Sequence, residues 1–503
     1  MAFVISGWDP SYRRPRFIGQ IVFGAGQLSA ANAPLACLLV GKKTSAGSMT
    51  VDAAPVACTT EEEADSLAGP GSELARMAYK ALKKKGIKLY LAAVTENGGT
   101  AATATILFAG VPTAAGVIEL YIAGERVAAD VASGTAVDTY GAAVAAAINA
   151  KTRLPVTASY NSGTDTLTIT TKNKGVSSKD WLIWKNESVK PAGVTMTLTG
   201  SAAEGTDRVR MGASSTGTGT DDVTTLLTQL QTGRYARSAW ATNDATNAAL
   251  IETHVNTKAG VLSMLYEHAF FGHNGAYAAA QSIGQTTLNA QRCNLKWHRN
   301  SESHPCEIAA AMAALSAITE NASPVPDYDG VVLEGIAPQR YDADRPTDTE
   351  INTALTNSVS VMDTVDGKAV IVRQICSYSL LAGSTPDDRT LDAGDARFPD
   401  YAMLDLKATY DGTFRPANPY VQDNPASGAK EPPSGVATPD RWNAEVQARM
   451  ESWFANNWIE DPANNLPVST YSTSYHAIVT NAPVIVRRVQ HQLGVIVRQT
   501  AAA

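Results

Sequence analysis

Residues 69–94, GPGSELARMAYKALKKKGIKLYLAAV, decide how this chain folds. Gly69-Pro70-Gly71 interrupts the backbone, and Ser72 follows as a helix N-cap with Glu73 in the first turn, where a carboxylate suits the positive helix end. Leu74, Met77, Ala78, Ala81 and Leu82 recur at helical spacing and form one apolar stripe. Lys83, Lys84 and Lys85 then suit the negative helix end, and Gly86 stops it, so the lysine run reads as a helix terminus rather than a binding patch. Residues 87–94 (IKLYLAAV) read as a buried strand, and so do residues 35–41 (LACLLVG) upstream. A helix between two such strands predicts a βαβ unit and hence an α/β sheet.

Downstream, from about Asn97, the texture changes to Gly, Thr, Ala and Ser, with short alternating strands at 105–108, 117–122, 156–160, 166–170 and 194–199 and one alanine-rich helix at 140–150. Asn161-Ser162-Gly163-Thr164-Asp165 is a hairpin loop by its turn residues. The α/β texture returns near Asp207, so residues 99–207 read as a mainly-β domain inserted into a surface loop. Helices are expected at 222–231, 243–258 and 306–318, the last opened by His304-Pro305, and strands at 237–241, 261–266 and 369–375. The polar, acidic stretch 342–349 is a candidate hinge, and 418–439 is a Pro/Gly/Asn-rich loop. In the helix at 441–458, Trp442, Val446, Trp453, Phe454 and Trp458 form the apolar side, and Arg441, Glu445 and Arg449 stand at i, i+4 spacing on the other. The expected organisation is an arm at 1–25, a core domain at 26–98, the insert at 99–207, the core continued at 208–345, a C-terminal domain at 346–489 and an arm at 490–503.

Both arms are strand-prone. Residues 17–23 (FIGQIVF) carry Phe17, Ile18, Ile21, Val22 and Phe23, and residues 493–497 carry Leu493, Val495, Ile496 and Val497. Apolar strands at chain ends imply sheet edges that receive them. Those edges belong either to the chain's own domains or to neighbouring copies, and composition leaves both open.

At 503 residues and 44% hydrophobic, the chain is large enough for several cores. No run approaches the ~20 apolar residues of a membrane span, and no signal peptide is evident, so a protein that folds in the cytosol where it is made is expected, without membrane insertion. The net charge of -7, with dispersed basic residues, leaves no footprint for nucleic acid. Five scattered cysteines without a CxxC pair predict buried, reduced thiols. Cys293, His298, His304 and Cys306 are metal-ligand types within one segment, but their spacing lacks the tight clips of structural zinc sites. His268 and His273 are off the i, i+4 spacing that would place both on one helix face. Gly24-Ala25-Gly26 lacks a third glycine, Gly217-Thr218-Gly219 lacks a phosphate-binding lysine, and Asp387-Asp388 sits in turn-like sequence. No cofactor and no catalytic residues are assigned.

Several segments resemble contractile phage tail sheath proteins of the Mu-like type. They are Glu62-Glu63-Ala64-Asp65 with Gly69 through Met77 and KLYLAAV, the opening Trp8-Asp9-Pro10-Ser11-Tyr12-Arg13-Arg14-Pro15-Arg16, and residues 303–315 (SHPCEIAAAMAAL) leading to a loop at 331–335 expected to be exposed. Residues 366–378 (DGKAVIVRQICSY) resemble that family's DGKVxIxRxITTY element, with Cys376-Ser377 where Thr-Thr is usual. The resemblance implies a non-enzymatic subunit with a sheath-type α/β core, an inserted mainly-β domain and terminal β-strand arms, an α/β and α+β multidomain chain. It further implies stacked hexameric rings around a tail tube, arms that add strands to adjacent copies, contraction, and partners in the tube, baseplate and tail terminator of a virion tail. Arg441, Glu445 and Arg449 are the expected tube-facing contacts, and the insert is expected on the outside. Two rival readings are another tail or baseplate component and an α/β enzyme with a carbohydrate-binding insert.

Overall fold

The LACLLVG run becomes a strand buried along its whole length, as a continuous apolar segment must be in a parallel sheet covered on both faces. In the computed structural model, which describes residues 35–201, 207–381, 385–387, 390–414, 420–433 and 436–487, this strand is β1 (Ala36–Lys42). β2 (Val56–Cys58), α1 (Glu61–Ala68) and α2 (Glu73–Ala81) follow, and β3 (Lys88–Val94) returns parallel to β1. The Ser72 hydroxyl accepts from the Ala75 amide, as a cap should. The lysine run lies just beyond the last turn of α2, where Lys83 reaches Glu61 and Lys84 reaches Glu334.

The inserted region folds as two four-stranded antiparallel sheets and one helix. Its elements are β4 (Thr103–Ala109), β5 (Gly116–Ile122), β6 (Glu125–Val131), α3 (Val137–Ala150), β7 (Val156–Asn161), β8 (Thr166–Thr171), β9 (Leu182–Lys185), β10 (Thr195–Thr199) and β11 (Arg208–Arg210). The sheets run in the orders β10-β4-β8-β7 and β11-β9-β5-β6. They share a core of Phe108, Leu120, Tyr140, Ile148, Ile169 and Trp181. β7 and β8 are the expected hairpin.

The main sheet then resumes with α4 (Thr224–Leu230), β12 (Arg237–Trp240), α5 (Ala245–Lys258), β13 (His268–His273), α6 (Tyr277–Gln281), β14 (Cys293–Trp297), α7 (Pro305–Ala322), α8 (Asp348–Thr356), β15 (Ser360–Val365) and β16 (Lys368–Arg373). Eight strands lie in the order β16-β15-β14-β13-β12-β1-β3-β2. All inner pairings are parallel, and only the two outermost, β15–β16 and β2–β3, are antiparallel. Side chains of α4, α5 and α8 cover one face, while α2 and α7 pack on β1, β12 and β13. The alanine run of α7 suits this place, because small side chains let a helix approach a sheet and a second helix closely. Approach is tightest at Gly272 of β13, where an added Cβ would sit 1.9 Å from the Pro305 carbonyl oxygen. Gly272→Ala is therefore expected to overpack this contact and destabilise the chain by about 1–3 kcal/mol in urea unfolding.

Three expectations are corrected. The strand placed at 261–266 lies at His268–His273, because Met264, at φ 50°, turns back onto Gly260, and Leu265 bonds to Lys258. The apolar residues read as a strand are the buried anchors of that turn, Met264 and Tyr266. The loop at 331–335 is only partly exposed, since residues 330–333 bond along the edge of β16 and Leu333 is buried. The acidic stretch 342–349 is no boundary: Asp344 is buried against Arg208, and Thr347 with Glu350 forms the capping box of α8. Among the described residues the chain divides instead into a unit of 35–323 and 330–391 and one of 324–329 and 392–487. Residues 346–391, expected in a C-terminal domain, thus supply α8, β15 and β16 to the main sheet.

The smaller unit holds α9 (Ala393–Thr413), α10 (Pro439–Ala455) and the antiparallel pair β17 (Val468–Ser472) and β18 (Ala477–Asn481). Its core gathers Phe398, Leu406, Trp442, Val446, Met450 and Trp453, with the Phe398 and Trp453 rings edge to face at 6.2 Å. Phe454, expected on the apolar side, is 39% exposed. Met450 takes that place, because 442, 446, 450 and 453 keep helical register and 454 rolls off it.

Candidate functional site: a filled crevice and an open ribbon

Strand order reverses between β1 and β12, and in open α/β sheets the crevice beyond the strand ends at such a point is the usual ligand site. Here it is filled from within. Lys42, the last residue of β1, is 1% exposed, and its ammonium donates to Ser177 Oγ and Asp221 Oδ2, both at 2.9 Å. Ser177 Oγ donates to Glu73 Oε1 at 3.2 Å, and Asn173 Oδ1 accepts from the Glu73 amide at 2.8 Å. Ser177 and Asn173 belong to the insert, so a loop of the insert occupies the place where a substrate would sit.

The four soft ligands singled out in the sequence do not assemble. Cys293 is buried in β14, and His298 donates from Nε2 to the Ala337 carbonyl at 3.0 Å. Burial pushes the Cys293 thiol well up and the His298 imidazole down to about 4. His304 and Cys306 do meet, together with Glu73, with donor atoms within 4.8 Å of one another. His304 is the N-cap of α7 and stacks on Trp181 at 4.2 Å. Its Nε2 donates to the Ser177 carbonyl at 2.9 Å, so Nδ1 is the acceptor and takes the Cys306 amide at 3.3 Å. Burial raises the Cys306 thiol well above its ordinary value. The Lys42 ammonium, 3.4 Å from Glu73 Oε2, already supplies a cation. These residues therefore fit a self-satisfied joint rather than a metal centre. Exhaustive dialysis against a chelator is expected to leave the thermal melting midpoint unchanged, and a fall would mark a bound metal.

All five cysteines are free and buried. Among the described residues no helix is long and apolar enough to cross a membrane.

On α10, Arg441 donates to the carbonyls of Pro432 and Pro433 at 2.9 and 2.8 Å, tying the proline-rich loop to the helix start. Arg449 Nε donates to Asp405 Oδ2 of α9 at 2.5 Å. Both arginines thus turn to partners outside the helix, and Glu445 stands half-buried between them.

The β17–β18 pair is a sheet of two strands among the described residues. Ile478 packs against the core and Val479 is buried, while Val468 in β17 is 51% exposed and Leu466 and Ile485 beside the pair are 59 and 50% exposed. Two other edges, β7 and β16, are blunted. The Asn149 side chain both donates to and accepts from Ala158 of the edge strand β7, at 2.8 and 2.9 Å, and residues 330–333 cover β16. The arm residues Phe17, Ile18, Ile21, Val22, Phe23, Leu493, Val495, Ile496 and Val497 lie outside the described residues.

No family model matches the chain, and no curated protein matches it. Among solved structures, the sheath tail protein of Desulfitobacterium hafniense aligns over 94% of this chain and 100% of its own, at 12% identity and a TM-score of 0.44. The helical sheath of the anti-feeding prophage in its contracted state aligns over 97% of this chain and 99% of its own, at 11% identity and a TM-score of 0.46.

Proposed function

We propose that this chain is the subunit of a contractile tail sheath of the Mu-like type, a mechanical and non-catalytic protein. It polymerises as stacked hexameric rings around a tail tube and contracts to drive the tube through a host envelope. Its partners are further copies of itself, the tube, the baseplate and the tail terminator, and it assembles in the host cytoplasm into the virion tail.

The observation that carries this reading is the β17–β18 ribbon. Two strands alone are marginal in water, and this pair has exposed apolar residues beside it in a chain whose ends read as strands. Strand addition by the arms of neighbouring copies would complete the sheet, with main-chain hydrogen bonds supplying affinity and alternate side chains such as Phe17, Ile21 and Phe23 supplying register. The motifs that resemble sheath proteins support the same reading: α2, β3, α7 and β16, far apart in sequence, all belong to the one main sheet and the helices on it. The insert decorates the outside. The α10 face with Arg441, Glu445 and Arg449 meets the tube, and a grip made of shared guanidinium donors and a half-buried carboxylate is weak enough to release.

Electron microscopy of concentrated purified protein tests the proposal. Rings, tubes or polysheath are expected, and discrete particles at every concentration and salt condition would overturn it.

A further inference from the structure

The insert touches the core through buried charge rather than through a flexible neck. Arg76 of α2 is 1% exposed and stands at the centre. Its Nε donates to Glu307 of α7 at 2.7 Å, inside the core. Nη2 also pairs with Glu307 at 2.7 Å, and the two terminal nitrogens reach the insert as well: the Glu125 carboxylate, the Ala123 carbonyl at 3.3 Å and the Arg153 carbonyl at 3.5 Å. Trp181 of the insert lies 5.7 Å from the guanidinium and stacks on His304, the cap of α7. Asn173 bonds at once to the Glu73 amide, the Lys43 carbonyl and Glu96. Arg210 of the insert donates to Asn274 at 2.9 Å, and Arg208 pairs with buried Asp344. Backbones meet as well: at Gly71, with φ 73°, an added Cβ would lie 2.1 Å from the Leu154 carbonyl oxygen.

We propose that the insert is a keystone of the main domain: it closes the crevice at the N-termini of α2 and α7, so that insert and core fold as one cooperative unit. The reasoning is electrostatic. Without the insert, Lys42, Arg76 and Glu73 would lose both part of their partners and the burial that makes charge pairing strong, and an insert folded alone would leave Asn173, Arg208 and Arg210 without the core groups they bond. A domain merely grafted into a surface loop would leave no such orphan on either side. The expectation from sequence that the insert lies on the outside concerns its exposed surface, and the seam gives it a second role.

The test is hydrogen exchange followed by mass spectrometry on the full, unassembled chain across a urea series. Peptides from β4 and β8 in the insert and from β1, α2 and α7 in the core are expected to lose protection at one common urea concentration. Asn173→Ala, a mild cut in the seam, is expected to lower both midpoints by the same amount. Insert peptides that exchange at a different urea concentration from core peptides in the unaltered chain would overturn the proposal. So would a variant that lowers the insert midpoint alone.

Discussion

A chain truncated after Gln490, or lacking residues 1–24, is expected to fold as the intact chain does and to lose assembly altogether. On the proposed reading each arm adds a short strand to a neighbour, and its ordering would cost about 1–2 kcal/mol of backbone entropy per residue, nearly matching what its hydrogen bonds and a few apolar side chains return. One arm alone would therefore bind a neighbour weakly. In the proposed lattice every subunit would give two arms and receive two, and the linked contacts would act as one multivalent joint. Removing either end breaks that joint everywhere at once, so polymer seen by sedimentation should fall from the bulk of the protein to background. Circular dichroism and the melting midpoint of the remaining monomer should stay close to the intact chain's. Loss of soluble folded monomer on either deletion would instead place the arm in the subunit's own core.

Arg76→Met is expected to have the largest effect on the folded subunit, a loss of about 3–5 kcal/mol, because it strands the fully buried Glu307 carboxylate. The exposed half of the network contributes little to this figure, since the Glu125 side chain is 40% exposed and well solvated. The effect depends on pH with a definite sign. Burial alone would raise the Glu307 carboxyl, but Arg76 first, then Lys80 and the His304 amide, outweigh it and hold the group below its ordinary value of 4.5. A carboxyl held low in the folded state stabilises the chain above its unfolded value, and that stability is lost as pH falls through the folded one. With Arg76 gone, burial prevails and the carboxyl rises. The gap between the two proteins should therefore be widest above the variant's raised carboxyl value, narrow as pH falls through it, and level off below the lowered value of the intact chain, read from urea midpoints at each pH.

The elements legible in the sequence were those whose periodicity and caps agree. Ser72 with its apolar stripe gave α2 and His304-Pro305 gave the start of α7, while the change of texture near Asp207 falls short of β11 (Arg208–Arg210), the last strand of the second insert sheet. Helix α9 was missed because its buried face carries Asp395, Arg397, Asp400 and Asp405, and Pro399 lies inside it, so no apolar stripe marks it. The seam was illegible for a different reason. Arg76 and Glu307 are separated by 231 positions, and pairing at that range leaves no spacing to read. A faint signal existed in each partner alone, an arginine among the small and apolar residues of α2, off its apolar stripe, and a glutamate opening an alanine run. On α10 the i, i+4 spacing of Arg441, Glu445 and Arg449 suggested an internal ladder, but Arg441 found nearby carbonyls and Arg449 found Asp405. Local spacing offers a partner without excluding a better one across the fold.

The most direct test of strand exchange between subunits is a mixed cross-linking experiment. One protein carries a single added cysteine in the ribbon, at Val468, which is 51% exposed, and the other carries one in the C-terminal arm, at positions 493 to 497 in turn. The native cysteines are all buried, so the added thiols react first. Mild oxidation of the assembled mixture should give disulfide-linked dimers of the two proteins at alternate arm positions, following the two-residue period of a strand. Cross-links that form only within a chain carrying both cysteines, and never between the two proteins, would contradict the account.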